Sequence, residues 1–252
     1  MTRLLSDDEP PPLEIHNAGG AGDFVVICEH AGRRLPRALG DLGLPESELV
    51  RHIAWDIGAR DIAVALADRL DAALFMQRYS RLVCDCNRRP EVAAFIPEIS
   101  ETTAIPGNAG LSDEARAARI SEVFAPFHDH ITGVLDARRA AGRRTILVTI
   151  HSFTPVYKGE ARPWEVGVLY HRDRVLSPAM LELLRQTGHT VGDNQPYRVG
   201  DDTDYAIPVH GEARGLPCVE IEIRNDLASR ADAPDYWSAL LADCLRQAAA
   251  RV

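Results

Sequence analysis

Apolar positions along the chain fall into short unbroken runs divided by polar turns, the pattern of strands buried on both faces. The clearest is Thr145–Phe153, where five of the first six residues are β-branched and a leucine fills the other place. It predicts a central strand whose apolar run stops at His151. Phe24–His30 repeats the design, with apolar residues first and then Glu29 and His30 where the strand would emerge. Ligands of open α/β sheets bind beyond the carboxyl ends of parallel strands, so these two endings predict that His30 and His151 meet in one cleft.

Ala72–Gln77, Leu82–Cys86 and Val166–Tyr170 predict further strands. In Pro217–Arg224, Val219, Ile221 and Ile223 alternate with Glu220, Glu222 and Arg224, which puts the charged set on one face of a last strand. Helical spacing predicts a helix opened by Asp56, a second capped by Ser112 and kinked or divided in two at Pro126, a third over Leu176–Gln186 and a fourth within Arg230–Val252. Pro10–Pro12 stop both helix and ladder, so residues 1–13 are expected to form a flexible tail ahead of a single catalytic domain over 14–252. Pro90–Gly110 is long and irregular, as a lid or substrate wall is. The turn at Asp193–Tyr197 would present Tyr197.

At 46% hydrophobic and 26% charged, the composition is that of an ordinary soluble protein. A formal charge of −9 with scattered arginines argues against nucleic acid and for a small partner. No apolar run is long enough to cross a bilayer, and the acidic, proline-containing start lacks the features of a secretory signal, so a cytoplasmic enzyme is expected. The five cysteines form no C-x-x-C pair, in keeping with a reducing compartment, and Cys84 and Cys86 read as packing.

Two histidines, a carboxylate and a water make an open zinc site, in which the ion lowers the pKa of the water to about 7. His30, Asp56 and His151 are the candidate ligands, with Glu222 as the unligated base that takes a proton from the water. Asp56 has a plainer reading as a helix cap or first-turn acid. Arg88 offers a planar fork suited to a carboxylate, with the Asn87 amide beside it. His128 and His130, two apart, cannot share a helical face and read as structural or surface residues, His128 being the better outside candidate. The chain has no G-x-S-x-G elbow, and Cys28 lies inside an apolar run, so neither serine nor cysteine chemistry is favoured.

The segments Ile27–Arg33, Ala54–Ala59, Tyr79–Arg88, Ile150–Phe153, Asp193–Arg198 and Val219–Leu227 resemble, in order and over most of the chain, the N-formylglutamate amidohydrolases. The resemblance implies a phosphorylase/hydrolase-like three-layer α/β fold, related to the zinc carboxypeptidases, with a mixed and mostly parallel central sheet flanked by helices. It implies zinc-dependent cleavage of an N-formyl or similar N-acyl amide of an acidic amino acid, with one divalent ion. Carried over by position, His30 and His151 are similar to metal ligands and Glu222 to the catalytic carboxylate. Asn87 and Arg88 are similar to a carboxylate-binding pair, with Arg81 as helper and Tyr197 and Arg224 as further substrate contacts. After His30 the chain lacks an H-x-x-E pattern, which brings in Asp56 as third ligand, with Glu29 the alternative. The His-Ala-Gly ending of the strand, in place of His-Ser-Gly, points to a divergent branch. Two rival readings are a peptide or cell-wall amidase of the carboxypeptidase kind and a non-catalytic binding protein for small acids.

Overall fold

The computed structural model describes residues 3–252. Seven strands build one mixed sheet: β1 (Leu13–His16), β2 (Phe24–Cys28), β3 (Ala73–Gln77), β4 (Ile146–Phe153), β5 (Val166–Leu169), β6 (Val191–Asp193) and β7 (Cys218–Arg224), in spatial order β1-β3-β2-β4-β7-β5-β6. The four central strands β3, β2, β4 and β7 run parallel. The edge strand β1 opposes β3, and β5 opposes β7 while running parallel to β6. The apolar runs at Phe24, Ala72 and Thr145 thus became three of the four parallel central strands, as expected for residues with no solvent-facing side.

Register sorts the side chains. Val26, Cys28, Val148, Ile150, Val219, Ile221 and Ile223 face one layer of helices, α1 (Ala59–Leu70), α4 (Ser177–Gln186) and α5 (Ala233–Ala249), packing on Ile62, Leu66, Met180, Leu184, Trp237 and Leu241. On the opposite face Val25, Ile27 and Leu147 meet Phe124, Phe127, Ile131 and Leu135 of the segment holding α2 (Asp113–Arg119) and α3 (Ala125–Ala140). Glu220 lies opposite Thr149, and Glu222 opposite His151, so all four project from this second face near the carboxyl ends of the strands.

Several expectations change. Leu82–Cys86 is buried but is not a strand, because its amides turn inward: Val83 N–H donates to Ser80 O (2.9 Å) and Asp85 N–H to Phe95 O (2.7 Å). Asp56 does not open α1, whose N-cap is Gly58 in the left-handed region (φ 83°), so its carboxylate is free for another task. The helix capped by Ser112 continues through one wide turn at Ile120–Phe124 into α3, with Pro126 directly after that turn. The segment expected as a tail is tied down from Leu4 on. Leu4 and Leu5 are buried with both amides on the Glu122 carboxylate, and Pro10 O accepts from the Tyr79 hydroxyl. Proline forbids ladder bonds made by its own nitrogen and leaves its carbonyl free to accept.

Candidate metal centre and cleft

His30 lies two residues beyond the end of β2, and its carbonyl accepts the N–H of Asp56 (2.9 Å), which pins the approach to α1 beneath the sheet edge. His151 comes from inside β4, beside Glu222. The three side chains meet: His151 Nδ1 is 3.2 Å from His30 Nδ1 and 2.9 Å from Asp56 Oδ2, and His30 Nδ1 is 3.3 Å from the same oxygen. All three residues are buried. Ligands about 2.0–2.1 Å from a tetrahedral ion stand about 3.3–3.4 Å apart, so the triangle fits a small divalent cation with modest adjustment.

The far nitrogens support the fit. His30 Nε2 lies 2.7 Å from Asp85 Oδ1, and His151 Nε2 lies 3.1 Å from Glu29 Oε2, near enough for charge pairing though off the line of a hydrogen bond. With a metal ion bound, His30 would give its Nε2–H to Asp85 and turn its Nδ1 lone pair into the triangle, the arrangement of a carboxylate–histidine–metal relay. Glu29, the alternative ligand, sits behind His151 and away from the triangle; both its oxygens are buried without a hydrogen bond. Excess negative charge therefore surrounds the centre, and one guanidinium, Arg81, spans Asp56 Oδ1 (3.3 Å) and Asp85 Oδ2 (Nε, 3.0 Å).

Electrostatics separate the roles. Burial alone would raise Asp56, but the His30 charge and the bonds to both imidazoles outweigh it and hold the carboxyl below its usual range. Asp85 is held well below that range because the Arg81 and His30 charges overcome its burial. Burial would lower His151, yet the Glu220 and Glu29 charges and the bond to Asp56 push it well up, so this point in the protein favours a positive charge. Glu222 moves the other way. Burial raises it well above an ordinary glutamate, and its Oε2 has no partner. Glu220 is pushed up to about 7 by burial and by Asp204.

Beside the triangle opens a cleft of about 370 Å³ lined by Arg81, Asn87, Arg88, Tyr197, Arg198, Asp204 and Glu220. The Pro90–Gly110 stretch forms one wall through Ala94, Pro97 and Ile99, and carries a small hairpin, Ile99–Ser100 with Thr103–Ala104. A second hairpin, Val156–Tyr157 with Glu160–Ala161, brings Tyr157 to the rim. Tyr197 lines the cleft, its hydroxyl accepting from Arg162 (2.9 Å). Arg224 turns aside: its guanidinium pairs with Asp226 (2.8 and 3.2 Å), and it does not line the cleft. Ser152 Oγ donates to Ile57 O (2.8 Å), and burial raises the Cys28 thiol, so neither is placed as a nucleophile.

Asn87 is more heavily used than its sequence position implies. Its Oδ1 accepts the Tyr205 and Ala206 amides (2.9 and 3.1 Å), and its Nδ2 donates to Asp204 Oδ1 (3.2 Å) and, at 3.5 Å, to Glu220. Sequence reasoning missed Asp85 and Asp204. Asp85, two residues before Asn87, carried a weak signal as an acid within a candidate motif; Asp204 sits in a polar turn and carried none. His128 is buried as a structural residue, one of the two readings its position allowed: Nε2 donates to Cys86 O (2.8 Å) and Nδ1 meets His210 Nε2 (2.9 Å).

The protein is thus an α/β protein with a mostly parallel sheet, a buried His–Asp–His group that could hold a metal ion, and a polar cleft beside it. The chain belongs to the N-formylglutamate amidohydrolase family, whose sequence profile matches residues 22–229, and this family is one of amidohydrolases. Gene product Atu2144 from Agrobacterium tumefaciens has a similar structure (TM-score 0.96, 40% identity, 98% of each chain covered). The N-formylglutamate amidohydrolase from Ralstonia eutropha JMP134 shares the fold at 18% identity (TM-score 0.69, 96% of this chain and 98% of that one). No curated protein matches the sequence. No helix among the described residues is long and apolar enough to cross a membrane.

Proposed function

We propose that the protein is a zinc-dependent amidohydrolase that removes an N-formyl or similar N-acyl group from an acidic amino acid such as N-formylglutamate. The observation that carries this reading is the convergence of His30 Nδ1, His151 Nδ1 and Asp56 Oδ2 within 3.3 Å, beside a buried Glu222. His30, Asp56 and His151 would hold the ion, which when bound supplies Lewis-acid polarisation of the acyl carbonyl and a lowered water pKa. Glu222, whose burial raises its proton affinity, takes the proton from the attacking water and passes it to the leaving nitrogen. Arg88 meets the substrate carboxylate, and Asn87 holds the loop from which Arg88 projects. Arg81 faces the cleft while fixing Asp56 and Asp85. Tyr197 closes the far side. The five free, buried cysteines suit a cytoplasmic setting.

Formate release from N-formylglutamate by purified protein, with and without added zinc, tests the reading. The expected result is release that a chelator abolishes and zinc restores. Zinc-loaded protein that releases nothing from any N-formyl or N-acetyl amino acid would overturn it.

A further inference from the structure

The two donors aligned for a substrate carboxylate already face one that belongs to the protein. Asp204 Oδ1 accepts from Asn87 Nδ2 at 3.2 Å and lies 3.8 Å from Arg88 Nη1. Its other oxygen is fastened by the Gly200 amide (3.1 Å) and the Thr203 hydroxyl (2.7 Å), so the carboxylate is fixed in place. Asp204 is 6% exposed and lines the cleft, with Glu220 next to it on the remaining hydrogen of the Asn87 amide. Among the three arginines lining the cleft, Arg81 and Arg88 have carboxylates within 4.0 Å, whereas Arg198 has none among the described residues.

We propose that Asp204 is a specificity residue that sets how well the cleft accepts a second substrate carboxylate. The proposal rests on the amidohydrolase reading for its substrates, although the underlying binding effect does not need catalysis. A monocarboxylate is served by one guanidinium. A diacid that brings one of its charges toward Arg88 meets Asp204, which already takes up part of the attraction and repels what arrives. A carboxamide in the same position meets no such repulsion and offers N–H donors to the Asp204 oxygen. Discrimination of this kind works by penalising one ligand and leaves the other untouched. Asp204 therefore narrows the margin by which the arginine-lined cleft favours the glutamate-type side chain over the isosteric glutamine-type one, and its removal widens that margin.

The test measures kcat/KM for N-formylglutamate and N-formylglutamine with the zinc-loaded wild type and with Asp204→Asn. In parallel, calorimetry measures the binding of glutamate and glutamine to each protein. A ratio of two substrates on one preparation is independent of how much of it is active. The expected outcome is a rise of about tenfold or more in the glutamate/glutamine ratio of the variant, in turnover and in binding alike. A ratio that stays within about twofold of wild type in both overturns the proposal. Should Asp204→Asn fail to fold, Asp204→Ser removes the same charge without placing an amide opposite Asn87, and the same ratios decide. A wild type that cleaves neither substrate, with the binding ratio still shifted in the variant, removes the amidohydrolase reading and upholds the role of Asp204.

Discussion

Two pairs of buried histidines lie behind the same face of the sheet, and chemically they are opposites. In His128–His210 the nitrogens stand 2.9 Å apart, and the Cys86 carbonyl, which only accepts, requires an N–H on His128 Nε2. His128 Nδ1 is then an acceptor, so His210 Nε2 carries the hydrogen between the rings. Burial holds both rings below their ordinary range, His128 well below and His210 at about 4. In His30–His151 the nearest nitrogens are 3.2 Å apart, but carboxylates occupy the surroundings: Asp56 between the rings, Asp85 behind one and Glu29 behind the other. The first pair is satisfied by one shared hydrogen and by staying neutral. The second gathers lone pairs at a point that requires positive charge. Two adjacent imidazoles therefore do not by themselves make a candidate metal centre; the carboxylates around them do.

Several experiments would break or sharpen this contrast. The largest effect is expected for Glu222→Gln, which should lower kcat by about 100- to 10,000-fold while elemental analysis still finds the ion bound. Loss of the ion together with activity would make Glu222 part of the ligand cage and would blur the distinction between cage and base.

The second effect is on stability against pH. Unfolded His210 takes a proton near its ordinary 6.5, whereas in the folded protein it stays neutral down to about 4. Between these values the unfolded state holds the extra proton, so stability falls as pH drops from 6.5 toward 4, by on the order of 3 kcal/mol from this group. His210→Phe should flatten that part of the urea-denaturation profile; a variant whose profile parallels wild type would show that the pair is not held neutral.

Third, Asp85→Asn should weaken zinc affinity by about 10- to 100-fold, measured by chelator competition, because the carboxylate behind His30 is lost. Unchanged affinity would reduce Asp85 to a partner of Arg81 alone. The smallest effect belongs to the neutral pair. His128→Phe leaves the Cys86 carbonyl and His210 Nε2 unpaired and should cost about 1–3 kcal/mol of stability with zinc content unaltered. His128→Gln, which keeps a donor and an acceptor, should recover part of that loss.

Much of the scaffold was legible because strand and helix periods are local. The runs at Phe24, Ala72, Thr145, Val166 and Pro217 became strands within a residue or two at most ends, since short apolar series, unbroken or in alternation with acids at Pro217, suit the period of a sheet. Leu82–Cys86 shows the limit. The same composition is buried as a loop because its amides find Ser80 and Phe95, a fact that hydrophobicity does not encode. The ligand candidates were legible from the ends of strands, but Asp56 had an equally good reading as a helix cap. Only the observed start of α1 at Ala59 released it from that task.

By itself, the sequence determined most of the segments that are sheet and helix, that the centre would be dry, and that histidines and acids would stand where the strands end. Each of these follows from interactions among residues close in the chain. The tertiary structure decided which atoms meet. His151 lies 121 residues from His30 and 95 from Asp56, so their contact depends on the order of parallel strands and on the path of the chain into α1. Packing across such separations selects a single arrangement from many that share the same local pattern, and that selection placed Asp85 behind His30 and Asp204 against Arg88.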